Sequence, residues 1–378
     1  MIGLYIHIPF CVKKCPYCGF YSTQYSSVKA DAYLSALLLE IQSHSRYLGD
    51  QTFGSLYIGG GTPTTMSQDQ FSRLFEFINR HIHLRADTEI TVEANPNTAS
   101  ANSLMQLKGL GVTRLSIGVQ SFSDEVLDHL GRVHSARQAI EAVHAAHDAG
   151  FGSIGIDLIF GVPGQTEEQW NNTLATAISL GPEHISAYSL SLDKGSQWYR
   201  DAKDGRREPP DDDSSAKQYA AAITALASHG YDQYEISNFC LPGHACRHNV
   251  NYWDRGEYLG LGPGAWSFIG NRRWANTADV ERYVSCLRSG ITVQDHDRDE
   301  TVNSEQAALE ILFLGLRKTS GVDLAAYGAL FGEGSLNSLL CRIGDVERDG
   351  LVVIRNGALM LTRRGMLLSN QVLARIIT

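Results

Sequence analysis

The sequence predicts an α/β protein: a partial (β/α)6 barrel followed by a C-terminal extension and a small winged-helix-like domain. Three observations predict it. Short β-rich runs alternate with longer amphipathic stretches through the first half of the chain, the pattern of βα units around a parallel sheet. Four of those runs end in glycine or a polar side chain, as barrel strands do where they build a site. Near the end, helical stretches precede two short apolar runs joined across an Asn-Gly turn. An open doubly wound sheet shares the local pattern of the first half.

The strand candidates in order are 4–8, 55–58, 89–93, 114–118, 155–159 and 184–190. Between them, residues 31–43, 68–80, 136–149 and 167–179 carry apolar side chains at helical spacing. The barrel is expected over residues 1–230 and the extension over 231–295, ending in the charged run Gln294-Asp-His-Asp-Arg-Asp-Glu300. Residues 296–378 form the last domain, with helices at 304–316 and 336–348 and a β pair, 351–354 and 358–361, across Asn356-Gly357.

With 378 residues, 43% hydrophobic and 19% charged, the chain is globular, which excludes a disordered or fibrous protein. A formal net charge of -9 argues against nucleic acid held on a broad basic face, and Arg363-Arg364 is too small a cluster to reverse that. No signal-like segment and no apolar run of about 20 residues is present, so a cytoplasmic protein without a transmembrane segment is expected. Of seven cysteines three are bunched, while Cys240, Cys246, Cys286 and Cys341 are scattered. That is no disulfide framework.

The bunched three, Cys11, Cys15 and Cys18, follow the apolar stretch Leu4-Tyr-Ile-His-Ile-Pro-Phe10. Three thiolates without a local fourth fit a four-iron four-sulfur cluster that either borrows a distant fourth ligand, such as Cys240 or Cys246, or leaves one iron open. A structural zinc loop completed by His7 is the alternative, although zinc loops usually pair two knuckles and no second knuckle exists here. At the strand ends stand Gly59-Gly60-Gly61-Thr62-Pro63, Glu93-Ala-Asn95-Pro96, Gly118-Val-Gln120-Ser121 and Asp157. In a barrel these would converge near the cysteine loop. Singly, each also reads as a turn, a helix cap or a hydrogen-bonded structural carboxylate.

Taken together, these motifs resemble the radical S-adenosylmethionine superfamily, within it the group of oxygen-independent coproporphyrinogen dehydrogenases and haem chaperones of the HemW type. The resemblance implies that Cys11, Cys15 and Cys18 hold a 4Fe-4S cluster whose fourth iron is chelated by S-adenosylmethionine. By the same matching, Tyr5 and Tyr17 flank the cluster loop, Gly60, Gly61 and Thr62 lie against the amino acid moiety, and Glu93 accepts hydrogen bonds from it. Gln120, Arg132 and Asp157 match positions that hold a second S-adenosylmethionine in the dehydrogenase. On position alone Arg132 reads equally as a helix-end cation.

Two departures separate the chain from the dehydrogenase. Phe20 stands where that enzyme has another cysteine, and only four residues precede Tyr5 where it has an N-terminal arm. Phe20 is otherwise read as core. Downstream, Cys246-Arg-His248-Asn249-Val-Asn-Tyr252-Trp253 resembles the His-Asn-x-x-Tyr-Trp motif associated with haem binding, which implies His248 as haem-iron ligand with Cys246 a rival. Without the resemblance, His248 reads as a pocket histidine bonded to Asn249 among core aromatics. In Gly260 to Trp266, Trp266 occupies a position where related chains often carry histidine.

The function implied is a HemW-type chaperone that passes haem to acceptor haemoproteins such as respiratory enzymes, served by a flavodoxin- or ferredoxin-type electron donor. The enzymatic alternative is an oxygen-independent coproporphyrinogen III dehydrogenase or a HemN-like methyl-transferring enzyme; no catalytic residue is assigned. A third reading keeps the cofactor as a structural or regulatory element only.

Overall fold

The computed structural model describes residues 2–44, 47–48 and 51–377. Six parallel strands form its spine: β1 (Ile2–Ile8), β2 (Thr52–Gly60), β3 (His83–Ala94), β4 (Arg114–Gln120), β5 (Ile154–Phe160) and β6 (His184–Ser189), each paired with the next. The connecting helices include α1 (Ser27–Ser43), α2 (Gln68–His81), α3 (Ala101–Gly109), α4 (Ala136–Asp148) and α5 (Glu167–Ser179). Their starts are chemically marked: Ser67, Ser135 and Thr166 cap α2, α4 and α5, each in a reciprocal box with a glutamine three residues on.

Strand periodicity sorts the side chains. Leu4, Ile6 and Ile8 on β1, Leu56 and Ile58 on β2, and Leu115 and Ile117 on β4 are fully buried. The alternate positions give the sheet a polar inner face: Tyr5, Tyr57, Thr91 and Arg114 follow one another in register across β1 to β4, and Glu93 on β3 pairs with Ser116 on β4, itself opposite Gly155 on β5.

The sheet continues on both sides. Tyr258–Leu261 runs parallel to β1 on its free edge, followed by the antiparallel strands Trp266–Ile269, Arg272–Asn276 and Gln294–Thr301. Beyond β6, Asn238–Cys240 and Asp232–Gln233 add antiparallel strands. Among the described residues the two outer edges do not meet, so the twelve-stranded sheet is an open, partial barrel.

The charged run at the expected 295/296 division is an edge strand. Its carboxylates face arginines across the ladder, Arg272 to Asp299 at 2.6 Å and Arg273 to Glu300 at 2.8 Å. Past it come helix Ser304–Gly315, helix Leu324–Arg348, and a small sheet of Val322–Asp323, Ala358–Leu361 and Val352–Arg355. The long helix starts earlier than residue 336 and is interrupted at Gly332, whose φ is 87°. Asn356 and Gly357 both take positive φ, 52° and 79°, as the tight hairpin requires. Among the described residues no helix is long and apolar enough to cross a membrane.

Candidate cluster and cofactor site

A cavity of about 380 Å³ opens at the carboxyl ends of the parallel strands. Its wall brings together Cys11, Cys15, Cys18, Tyr17, Gly60, Gly61, Thr62, Glu93, Gln120, Arg132 and Asp157, residues spread over more than 140 positions of sequence. Tyr5 and His248 are not part of that wall.

The cysteine loop leaves β1 and is held from two sides. Cys18 N donates to Cys15 O at 3.1 Å, and Trp198 N donates to Pro16 O at 3.0 Å. All three thiols are partly exposed and unpaired. Thr62 Oγ1 lies 3.7 Å from Cys11 Sγ, and Arg132 Nη1 lies 3.4 Å from Cys15 Sγ while Nη2 donates to Gly118 O at 2.8 Å. Arg132 Nε is buried with no partner. A guanidinium bonded to a thiol and a carbonyl instead of a carboxylate leaves its charge free to offset thiolates. The arginine therefore faces the cavity and does not cap a helix end.

His7 does not complete a zinc site. Its Nδ1 shares a hydrogen bond of 2.9 Å with the Tyr5 hydroxyl and its Nε2 one of 2.9 Å with Tyr21 O, so both ring nitrogens are engaged. Burial pushes its pKa down to about 4. Among the described residues no three histidine, cysteine or acidic side chains converge on a point as one metal ion requires.

Opposite the loop, Glu93 accepts from the Tyr57 hydroxyl at 2.8 Å and from Gly60 N at 2.9 Å. Burial drives its pKa up to about 7 against the lowering pull of Tyr57, and the charge of Asp157 adds to the rise. Asp157 accepts from Ser116 Oγ, 3.1 and 3.2 Å to its two oxygens, and is also raised by burial. Two such carboxylates facing one cavity fit a guest that brings positive charge.

The glycines are sterically required. A Cβ on Gly59 would lie 2.8 Å from the Glu93 carboxyl, and one on Gly61 would lie 2.6 Å from Phe10 O. Gln120 has φ of 67°, beyond a register shift that begins after Ile117. A left-handed non-glycine residue is uncommon and marks strain held for a purpose. Three soft donors without a fourth, bare backbone, a carboxylate pair and a cavity within the usual small-molecule range fit a 4Fe-4S cluster with S-adenosylmethionine.

His248 sits elsewhere. It lies on the short helix Arg247–Trp253, only 1% exposed. Its Nδ1 meets Ser55 Oγ at 2.9 Å, its Nε2 meets the Tyr252 hydroxyl at 3.0 Å, and its ring stacks on Tyr57 with centroids 5.1 Å apart. Burial pushes its pKa down to about 3, so the imidazole is neutral with both nitrogens in use. Asn249, the partner the sequence suggested, instead lines the cavity. The helix is anchored by Glu89, which accepts from Arg247 N and His248 N at 3.1 Å each and from Cys246 Sγ at 3.5 Å. Burial lifts the Cys246 thiol to about 12, which opposes a thiolate ligand at neutral pH. Phe20 is not core: it is 69% exposed at the cavity mouth.

Sequence reasoning missed Tyr57, Ser116, Ser186 and Asn249, all of which line the cavity. The first three follow from stepping back two residues along each strand from Gly59, Gly118 and Tyr188.

Residues 5–177 match the Radical SAM superfamily and residues 302–368 the HemN C-terminal domain. The heme chaperone HemW of Bacillus subtilis (strain 168) is 38% identical over 375 residues, covering 98% of each chain. That of Escherichia coli (strain K12) is 40% identical over 267 residues, 70% of this chain and 69% of the other. The mitochondrial radical S-adenosyl methionine domain-containing protein 1 of Bos taurus is 32% identical, covering 100% of this chain and 87% of its own. Among solved structures, the E. coli radical SAM enzyme coproporphyrinogen III oxidase (HemN) superposes with a TM-score of 0.86 at 25% identity, over 100% of this chain and 90% of that one. The open barrel and its C-terminal addition are thus shared along the whole chain.

Proposed function

Because the chain belongs to the HemW family of the radical S-adenosylmethionine superfamily, we propose that it is a haem chaperone carrying a 4Fe-4S cluster and S-adenosylmethionine, which binds haem and delivers it to acceptor haemoproteins. The observation that carries the reading is likeness to HemW over 98% of both chains.

In this reading Cys11, Cys15 and Cys18 hold the cluster. Bound together, cluster and S-adenosylmethionine supply one-electron cleavage of a sulfonium. The protein's part is placement. Gly60 and Gly61 offer bare backbone to the amino acid moiety, Glu93 receives its ammonium, and Arg132 offsets the negative charge of the loop. Gln120, Arg132 and Asp157, the positions matched to a second S-adenosylmethionine, line the same cavity, and Tyr17 flanks the cluster loop. Respiratory haemoproteins as acceptors, a flavodoxin- or ferredoxin-type electron donor and a cytoplasmic setting complete the proposal.

Coproporphyrinogen oxidation is the second reading, favoured by the fold shared with HemN. Against it stands Phe20 in place of a sulfur. Anaerobic cluster reconstitution, haem titration and S-adenosylmethionine cleavage followed in the same samples test both. The chaperone reading expects one haem per chain and no porphyrin product; absence of stoichiometric haem would sink it, and multiple-turnover porphyrin formation would establish the other.

A further inference from the structure

We infer that haem binds across the mouth of the cavity, with the macrocycle face on Phe20 beside Val133 and the propionates on Lys13 and Lys14. The inference rests on the chaperone reading and goes beyond it by giving the haem a site. Phe20 is 69% exposed and Val133 44%, and both line the same cavity, whereas Tyr188 stands deeper in it beside Asp157 and Ser186. An exposed aromatic and an exposed aliphatic side chain at one opening form an apolar rim of the kind that marks a binding surface.

The ring of Phe20 is held ready. Lys14 Nζ donates to Phe20 O at 2.8 Å, which fixes the backbone beneath it, and a Cβ on Gly19 would lie 2.5 Å from Asp193, so the loop already rests on its neighbour. Lys13 and Lys14 line the mouth of a chain whose net charge is -9, so this is a local cationic feature against an acidic background. Asp193, the carboxylate at the rim, accepts from Ser191 Oγ at 3.2 Å. A flat apolar body with two carboxylates is complementary to an exposed aromatic flanked by two ammonium groups. His248 offers no competing iron ligand as it stands, since both its nitrogens are bonded.

The test is haemin titration of the anaerobically reconstituted full chain, read by the Soret band with apomyoglobin as competitor. Phe20→Ala should weaken haem by about 10-fold or more, the loss expected when an aromatic face goes unburied. Phe20→Trp should bind as the parent does. Lys13→Glu with Lys14→Glu should also weaken haem, and parent affinity should fall with salt. Iron content and S-adenosylmethionine affinity serve as controls for folding. If the parent binds no haem, the chaperone reading itself falls. If the parent binds and Phe20→Ala and the lysine double variant bind equally well, the rim site alone is overturned. Normal haem binding with slower reduction of the cluster by an acidic protein donor would make this rim a protein dock and overturn the inference as well.

Discussion

Replacing Glu93 by glutamine separates what this carboxylate does for the guest from what it costs the fold. Its pKa stands at about 7 in the folded protein, against an ordinary value of 4.5. A carboxyl raised on folding binds more protons in the native state, so its contribution to stability is present at low pH and lost as pH rises through about 7. At 1.36 kcal/mol per pKa unit the native state gives up about 3 kcal/mol by pH 8, and under about 1 kcal/mol of that is already lost at pH 5. Glutamine removes the charge and keeps one acceptor: its oxygen takes the Gly60 N–H, and its NH2 meets the Tyr57 hydroxyl, which turns to accept. With unfolding entropy near 2.1 cal/mol/K per residue, the variant should melt about 4 °C above the parent at pH 8 and about 1 °C above it at pH 5. Scanning calorimetry of the metal-free protein at the two pH values reads this directly. In the reconstituted protein S-adenosylmethionine should bind about 10-fold more weakly, because its ammonium has lost an ionised acceptor. A melting difference independent of pH, or a variant less stable than the parent at pH 8, would refute the argument.

Cys11→Ala, Cys15→Ala or Cys18→Ala should each abolish the cluster's iron and visible absorbance, whereas Cys240→Ala should leave iron content intact. Gly61→Ala places a methyl against the Phe10 backbone and should cost about 1–3 kcal/mol, seen as a lower melting temperature and weaker S-adenosylmethionine binding. His248→Ala strips a buried ring from Ser55 and Tyr252 and should destabilise the protein by about 2–4 kcal/mol. Loss of the Soret band with an unchanged melting curve would reinstate His248 as the haem ligand.

Much of the fold and the upper rim of the site could be read from sequence because both rest on local rules. Strand runs punctuated by glycine set β1 to β6, and residues just past the strand ends met at the cavity as a barrel requires. What escaped depends on distant partners. His248 has the residue type of a ligand, yet Ser55, Tyr57 and Tyr252 make it a packed, fully bonded ring, and nothing in its own segment announces them. Glu89 reads in sequence only as part of a strand; its role as anchor for Arg247–Trp253 spans more than 150 residues. By composition the charged run 294–300 reads as a domain boundary. It is a strand because Arg272 and Arg273 stand opposite its carboxylates. Phe20 illustrates the reverse case, an aromatic taken for core that the cysteine loop leaves in solvent.

Haem delivery is the central claim, and stopped-flow transfer tests it most directly. Haem-loaded protein is mixed with an apo-haemoprotein in one syringe series and with a passive haem scavenger in another. Chaperoned transfer predicts a rate that rises with acceptor concentration and exceeds release to the scavenger. A rate equal to that of the scavenger and independent of acceptor concentration would mean that haem merely dissociates, and would contradict the assignment.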